Sequence, residues 1–386
     1  MDRKNFDRVY AFIAHVLDMF HNIAMTKQAS SVDLDLRRPG RGALSNEVGR
    51  YEGHARSYEP DGWARQTAKP VLRTQVSVEH PRKVITFNRS PDLPFDRSVN
   101  PYRGCEHGCV YCFARPSHAW LGLSAGLDFE TRLVARVQAP ERLAAELRRP
   151  AYRVAPIAIG TNTDPYQPIE KTYKIMRSCL QVLSDFNHPV AIVTKGSLIE
   201  RDIDILSDMA QRGLVKVGIS VTSLNADLSR RMEPRAPAPE RRLQIIERLS
   251  AAGIPVRIMT SPIIPGLTCH EIEALLSAGA QAGAQAASWV MLRLPLEVAR
   301  LFQEWLAEHV PDRAQRVMGH VRAMHDGKAY AHDWGRRMRG TGPYADMISQ
   351  RFAQASRRLG LDAVLPELRC DIFNPPEQVG DQLNLF

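Results

Sequence analysis

At 386 residues, with 44% hydrophobic and 24% charged side chains, the chain has ordinary globular composition and room for one large domain with appendages. Lys and Arg exceed Asp and Glu by 51 − 42 = 9, a surplus that suits an anionic partner but does not separate nucleic acid from a merely basic enzyme surface. No stretch is long and apolar enough to span a bilayer, so no membrane role is expected. Six cysteines in a chain of this size do not make a disulfide-built secreted scaffold, and a cytoplasmic, reducing home is expected.

In chain order, Phe6, Val9, Ile13, Val16, Leu17, Phe20 and Ile23 share one helical stripe, so the first 25 residues read as an amphipathic docking helix. His15, Asp18 and His21 interrupt it and argue against a secretory leader; a true start at Met25 is the other reading. Residues 26–80 are polar and rich in Arg, Gly and Ser, and read as weakly ordered or draped over another surface. The expected units are an N-terminal extension over 1–83, a barrel over 84–298, a helical extension over 299–360 and an acidic tail over 361–386.

Within 84–298, apolar strand-like runs alternate with helical periodicity. One strand leads into Asn100. PIAIG (156–160), PVAIVTK (189–195), LVKVGISVTS (214–223), PVRIMTSP (255–262) and ASWVMLRL (287–294) follow. The helical runs between them stop at glycines such as Gly213 and Gly253. Six such repeats predict a parallel sheet covered by helices, either doubly wound or an open barrel.

The stretch NPYRGCEHGCVYCFARP sets Cys105, Cys109 and Cys112 at C-x3-C-x2-C, with no fourth cysteine beside them. Structural zinc takes four ligands, usually as two pairs, and His107 lies inside the loop. A redox C-x2-C leaves Cys105 unused. A four-iron cluster with one open iron uses all three thiolates.

This spacing, with the aromatic Tyr111 before the last cysteine, resembles the radical S-adenosylmethionine superfamily over roughly residues 97–295. The resemblance implies a partial (β/α)6 barrel with N-terminal and C-terminal extensions. It implies a [4Fe–4S] cluster on Cys105, Cys109 and Cys112, S-adenosylmethionine on the open iron, an external one-electron donor, and a 5′-deoxyadenosyl radical that removes a hydrogen atom from substrate.

In a parallel barrel the chemistry gathers at the carboxyl ends of the strands. Asn162, Thr163 and Asp164 after the second strand are expected to hold the methionine end, with Asp164 accepting from its ammonium. Lys195 is expected at the carboxylate, Ser220 and Thr222 at the carboxylate or ribose, and Tyr111 against the adenine. Each has a plainer reading: an N-cap and turn at TDP, or a lysine reaching to solvent.

NPYRGCEHGCVYCFARP, TNTDPYQPIE, VTK and MEPRAPAPERR resemble the group of spore photoproduct lyase and its uncharacterised bacterial relatives. The lyase carries a hydrogen-donating cysteine at the end of its second strand. Here residues 156–168 contain none, so its own reaction is not expected; Cys269 is either a substitute donor or a small loop residue. The terminal QLNLF resembles the peptide that grips the replication sliding clamp, through Gln382, Leu383, Leu385 and Phe386; a terminal anchor on the protein's own surface is the plainer reading. With the basic surplus, and with RRMRG (336–340) and ASRRLG (355–360) as phosphate contacts, it points to DNA repair or nucleic-acid modification. The alternatives are a radical enzyme for another substrate and a zinc-stabilised nucleic-acid-binding module.

Overall fold

The computed structural model describes residues 40–52 and 71–377. The N-terminal amphipathic stretch and QLNLF lie outside the described residues. The strands are β1 (Gln75–Val78), β2 (Ile85–Phe87), β3 (Arg97–Val99), β4 (Tyr102–Arg103), β5 (Arg132–Ala135), β6 (Ile157–Ile159), β7 (Val190–Thr194), β8 (Val215–Ser220), β9 (Val256–Ile263) and β10 (Ala286–Met291). β3, β6, β7, β8, β9 and β10 lie side by side in chain order, all parallel, with β2 antiparallel outside β3. These six are the strands expected from the sequence, in an open (β/α)6 barrel.

The near-continuous apolar runs divide between two faces. Ile157, Ile159, Val190, Ile192, Val217, Ile219, Val256 and Ile258 are at most 1% exposed. They share one core with Met176 and Leu183 of α2 (Ile175–Asp185), Leu206 and Met209 of α3 (Ile203–Gln211), and Ile245 and Leu249 of α4 (Pro239–Ala251), α1 (Ala139–Leu147) being the helix before β6. The opposite face carries small residues at some positions: the register sets Ala158 beside Ala191 and Val193 beside Gly218. A Cβ on Gly218 would meet Met259 Sδ at 2.5 Å.

The first β–α unit departs from the pattern. Between β3 and β6 the chain forms the cysteine loop, a 3-10 helix over Arg115–Leu121, the small sheet β1–β5–β4, and α1. β1 recruits part of the polar extension into that sheet.

A second departure is that residues 40–52, the first part of the polar extension that the structure describes, follow the draped reading and pack against the rest of the chain. Arg41, Gly42 and Ala43 are buried. Gly42 and Ala43 donate their N–H groups to Glu130 Oε2 and Oε1 at 2.9 and 2.8 Å, and Arg41 Nη1 donates to Glu130 O at 2.9 Å. A polar composition does not distinguish a weakly ordered segment from one whose backbone donors are captured by a buried carboxylate.

α5 (Ile272–Gln281) joins β9 to β10, and beyond β10 the chain is helical as expected, with α6 (Glu297–His309), α7 (Pro311–Ala323) and α8 (Pro343–Arg358). Arg351 of α8 grips Glu273 of α5 with bonds of 2.9 and 2.6 Å, and Phe352 packs on Trp289 of β10. Residues 361–377 then cross the amino ends of the strands. Ala287 N donates to Leu361 O at 2.8 Å, Arg369 N to Gly213 O at 3.0 Å, and Asn374 N to Phe186 O at 3.0 Å. Phe373 meets His188 edge-on at 5.4 Å.

This strap contributes core as well as hydrogen bonds, since Leu361 and Leu365 are 1% and 4% exposed. Ending the chain at Gly360 is expected to lower the unfolding free energy by about 3 kcal/mol or more, at roughly 1.5–3 kcal/mol per fully buried leucine. Guanidinium unfolding midpoints check this; an unchanged midpoint would make the strap an ornament.

Candidate active site

The cysteine loop has no regular structure, so other parts of the chain must hold it. Gly104 and Gly108 adopt φ of +73° and +69° and let it curl. A Cβ on Gly104 would lie 2.8 Å from Phe129 O, and one on Gly108 2.7 Å from Glu130 Oε2. Arg115 lies under the loop, 0% exposed. It donates to Cys109 O, Gly108 O, Ala125 O and Gly126 O at 3.0–3.3 Å and pairs with Glu130. Cys105 N donates to Phe129 O at 2.9 Å, and Val110 N to Met232 O at 3.0 Å.

The segment after β6 supplies the other wall. Thr163 Oγ1 and Gln167 Nε2 donate to Gly104 O at 2.6 and 3.2 Å, and Gln167 Oε1 accepts from Glu106 N at 2.9 Å. Asp164 is shared by four donors: His107 Nδ1 at 3.3 Å, Thr194 Oγ1 at 2.6 Å, Lys195 N at 2.8 Å and Tyr166 N at 2.9 Å. Burial opposes its charge, but His107, Thr194 and the Lys195 N–H outweigh it and hold the carboxyl at about 2. Asn162 is exposed, and its N–H donates to Asn100 Oδ1 at 3.1 Å. Thr163 and Asp164, expected at the methionine end, spend these groups inside the protein, while the Asn162 side chain is exposed. Thr163 and Asp164 tie the ends of β6 and β7 to the cysteine loop.

The remaining predicted residues do converge. Lys195 Nζ lies 3.3 Å from Ser220 Oγ and 5.9 Å from the Tyr111 ring centroid. Tyr111 OH is 3.1 Å from Thr222 Oγ1 and donates to Glu233. Thr222 Oγ1 donates to Glu233 Oε1 at 2.8 Å. Glu233 is paired in turn with Arg242, which also donates to Ser220 O at 3.1 Å. Glu233 and Arg242 stand in MEPRAPAPERR but were not singled out; a carboxylate and an arginine nine residues apart flanking prolines were the available signal. Cys269 is set apart from this group. Its Sγ lies 3.2 Å from Tyr344 OH at the start of α8 and accepts from Gly266 N at 3.3 Å.

The donor set fits an iron–sulfur cluster. All three thiols are free, Cys105 is 7% exposed, and Cys109 and Cys112 are half-buried. Burial, with Asp164 and Cys109 adding to it, pushes the Cys105 thiol up; burial does the same at Cys109, opposed by Lys195. Thiolates in such a place need a cationic metal to share their charge.

The Arg115–Glu130 pair is the part of this site most open to a stability test. Arg115→Met leaves Glu130 buried and unpaired, and is expected to cost about 3–5 kcal/mol. Adding Glu130→Gln removes the stranded charge and is expected to recover part of that loss. Denaturant unfolding of the two variants checks the sign.

Comparison with known proteins agrees with this geometry. The model of the Radical SAM superfamily matches residues 99–278. An uncharacterized protein of Mycobacterium tuberculosis is 38% identical over 235 residues, 60% of this chain and 69% of the relative. An uncharacterized protein of Methanocaldococcus jannaschii is 28% identical over 169 residues, 44% and 61% of the two chains. Among solved structures, spore photoproduct lyase complexed with dinucleoside spore photoproduct aligns at TM-score 0.53 with 12% identity, covering 74% of this chain and 79% of the other. A variant of the same lyase aligns at 0.54 and 13%, over 74% and 79%. At that identity the likeness is one of fold.

Proposed function

This chain belongs to the radical S-adenosylmethionine superfamily, and from that premise we propose that Cys105, Cys109 and Cys112 carry its [4Fe–4S] cluster, that Lys195, Ser220, Thr222 and Tyr111 border the S-adenosylmethionine, and that the substrate is nucleic acid. When bound, the two cofactors supply a one-electron cleavage of the sulfonium that yields a hydrogen-abstracting carbon radical. The chain's own residues bind and orient. The observation that carries the assignment is the meeting of the cysteine loop with Lys195 and Tyr111 at the carboxyl ends of the strands.

Lys195 supports a carboxylate site because its ammonium has a neutral hydroxyl, Ser220, where a structural lysine would take a carboxylate. Glu233 keeps the Tyr111 phenol fixed, so the ring beside Cys112 presents a set face. Arg115, Thr163 and Gln167 hold the loop carbonyls, which keeps the three sulfurs at their spacing with or without ligand. Asp164 joins β6 and β7 to His107 and spans the floor of the site.

Nucleic acid is favoured over other substrates by the QLNLF tail, which would tether the enzyme to the sliding clamp, and the surplus of nine positive charges is compatible with it. Of the arginines expected at phosphates, Arg336 pairs with Asp326, Arg337 with Asp92, and Arg339 lies 4.0 Å over Trp289. Those three are committed within the protein.

Anaerobic reconstitution tests the cofactor assignment. The intact chain is expected to take up four irons and absorb near 400 nm, roughly where thiolate-to-iron charge transfer falls. Replacing any one of Cys105, Cys109 and Cys112 by Ala should abolish both that band and 5′-deoxyadenosine formation. Lys195→Ala should keep the band and weaken S-adenosylmethionine binding about tenfold or more, as loss of a charge-assisted contact would. A colourless protein holding one zinc would refute the assignment. The tether is tested separately: deletion of Gln382–Phe386 should end capture by immobilised sliding clamp, and retention of capture would remove that partner.

A further inference from the structure

Tyr111 and Phe113 stand on either side of Cys112, and each has a cation over its ring. Lys195 Nζ lies 5.9 Å from the Tyr111 centroid, and the Arg293 guanidinium carbon 4.7 Å from that of Phe113. Arg293 stands two residues beyond the end of β10. Its other face approaches Tyr330 at 5.9 Å, and Nη2 donates to Tyr330 OH at 3.1 Å. Its Nε is buried without a hydrogen-bond partner. Asp92 feels its charge but is bound instead by Arg337 and by Gly335 N at 2.7 Å. Among the described residues, then, Arg293 has an aromatic clamp and no carboxylate partner. A guanidinium so placed is aimed at an anion from outside the protein.

Residues 329–342 extend this clamp into a surface. His332 meets Tyr330 edge-on at 4.8 Å, and Trp334, two residues on, is 62% exposed. Phe113 is 43% exposed. The segment is fastened at both edges of the open sheet. Met291 N of β10 donates to Met338 O at 2.9 Å, and Asp92, in the connection from β2 to β3, takes Gly335 and Arg337. Exposed rings on an anchored loop lose little conformational freedom when they bind. A tryptophan left 62% in water has no role in the core.

We propose that this face receives an unpaired stretch of nucleic acid, with Arg293 taking a backbone phosphate and the Trp334 and His332 rings stacking a neighbouring base, so that the next nucleotide enters the mouth beside Cys112. Alternating ring and guanidinium surfaces are what sequence-tolerant single-strand binding uses. A base paired inside a duplex could not be brought to a site at the floor of this mouth without leaving its stack. The inference rests on the nucleic-acid reading above and adds the place and the strandedness.

Fluorescence anisotropy of the reconstituted, anaerobic protein with labelled 12-nucleotide DNA, the same sequence as RNA, and the corresponding duplexes tests it, at two or more salt concentrations. One or both single strands are expected to bind more tightly than the duplex. Trp334→Ala should weaken single-strand binding roughly 5- to 100-fold, the range of one lost stacking contact. Arg293→Gln should weaken it and lower the salt slope by about one. Iron content and melting temperature report whether each variant is intact. If intact protein binds single strands and both variants match it in affinity and salt slope, the platform is elsewhere and the nucleic-acid reading survives. Preference for duplex overturns the strandedness. No binding to any oligonucleotide by cluster-loaded protein overturns the nucleic-acid reading itself.

Discussion

The cysteine loop leaves several of its carbonyls without partners inside the loop, and the buried pair of Arg115 with Glu130 is the interaction that resolves this. Arg115 gathers four carbonyls from the loop and its return; Glu130 neutralises it and, with its two oxygens, captures Gly42 and Ala43. Loop, 3-10 helix and N-terminal segment are thereby one unit. Gly42 is obligatory in that unit, since a Cβ there would sit 1.8 Å from Gly108 O. Replacing the pair by apolar residues would preserve volume but leave the loop carbonyls without donors, so its retention follows from the loop and not from stability of the pair itself.

The six strands, their order and the cysteine loop were legible because each is local. Apolar runs of four to eight residues and a C-x3-C-x2-C spacing are written in adjacent positions. The devices that hold the site were illegible for the opposite reason. Glu130 acts on residues 87 and 88 positions away, Gln167 on one 61 away, and Glu233 on Tyr111 across 122. No periodicity announces such a pairing. The internal bonding of Asp164 was illegible for the same reason. Placement at a strand end was read correctly, but whether a carboxylate there faces a ligand or its own neighbours depends on His107, Thr194 and Lys195 arriving from other elements.

An open barrel leaves two edges and two ends, and the C-terminal residues attend to three of these. Residues 361–377 cross the amino ends of the strands, α8 covers the outer face of β10 through Phe352, and the loop before α8 bridges from β10 to the β2–β3 connection. Among the described residues, the carboxyl-end mouth is what remains open. A segment that sequence alone marks only as helical and basic therefore acts chiefly by closing surfaces, and four of its arginines, Arg336, Arg337, Arg351 and Arg339, are spent on Asp326, Asp92, Glu273 and Trp289.

That commitment sharpens the meaning of the cations left over at the mouth. Arg115, Arg242 and Arg337 each have a carboxylate. Lys195 and Arg293 have a hydroxyl and an aromatic clamp instead, and they flank the same cysteine through Tyr111 and Phe113. Half-buried charges without counter-ions cost folding free energy unless an anionic ligand completes them. Two such cations, each over a ring that adjoins Cys112 in the chain, leave two positions that an anion would complete. One suits the carboxylate of the cofactor. The other lies on the side where the loop of Tyr330, His332 and Trp334 opens to solvent, which is the side from which a substrate, and not a tightly held cofactor, must come and go.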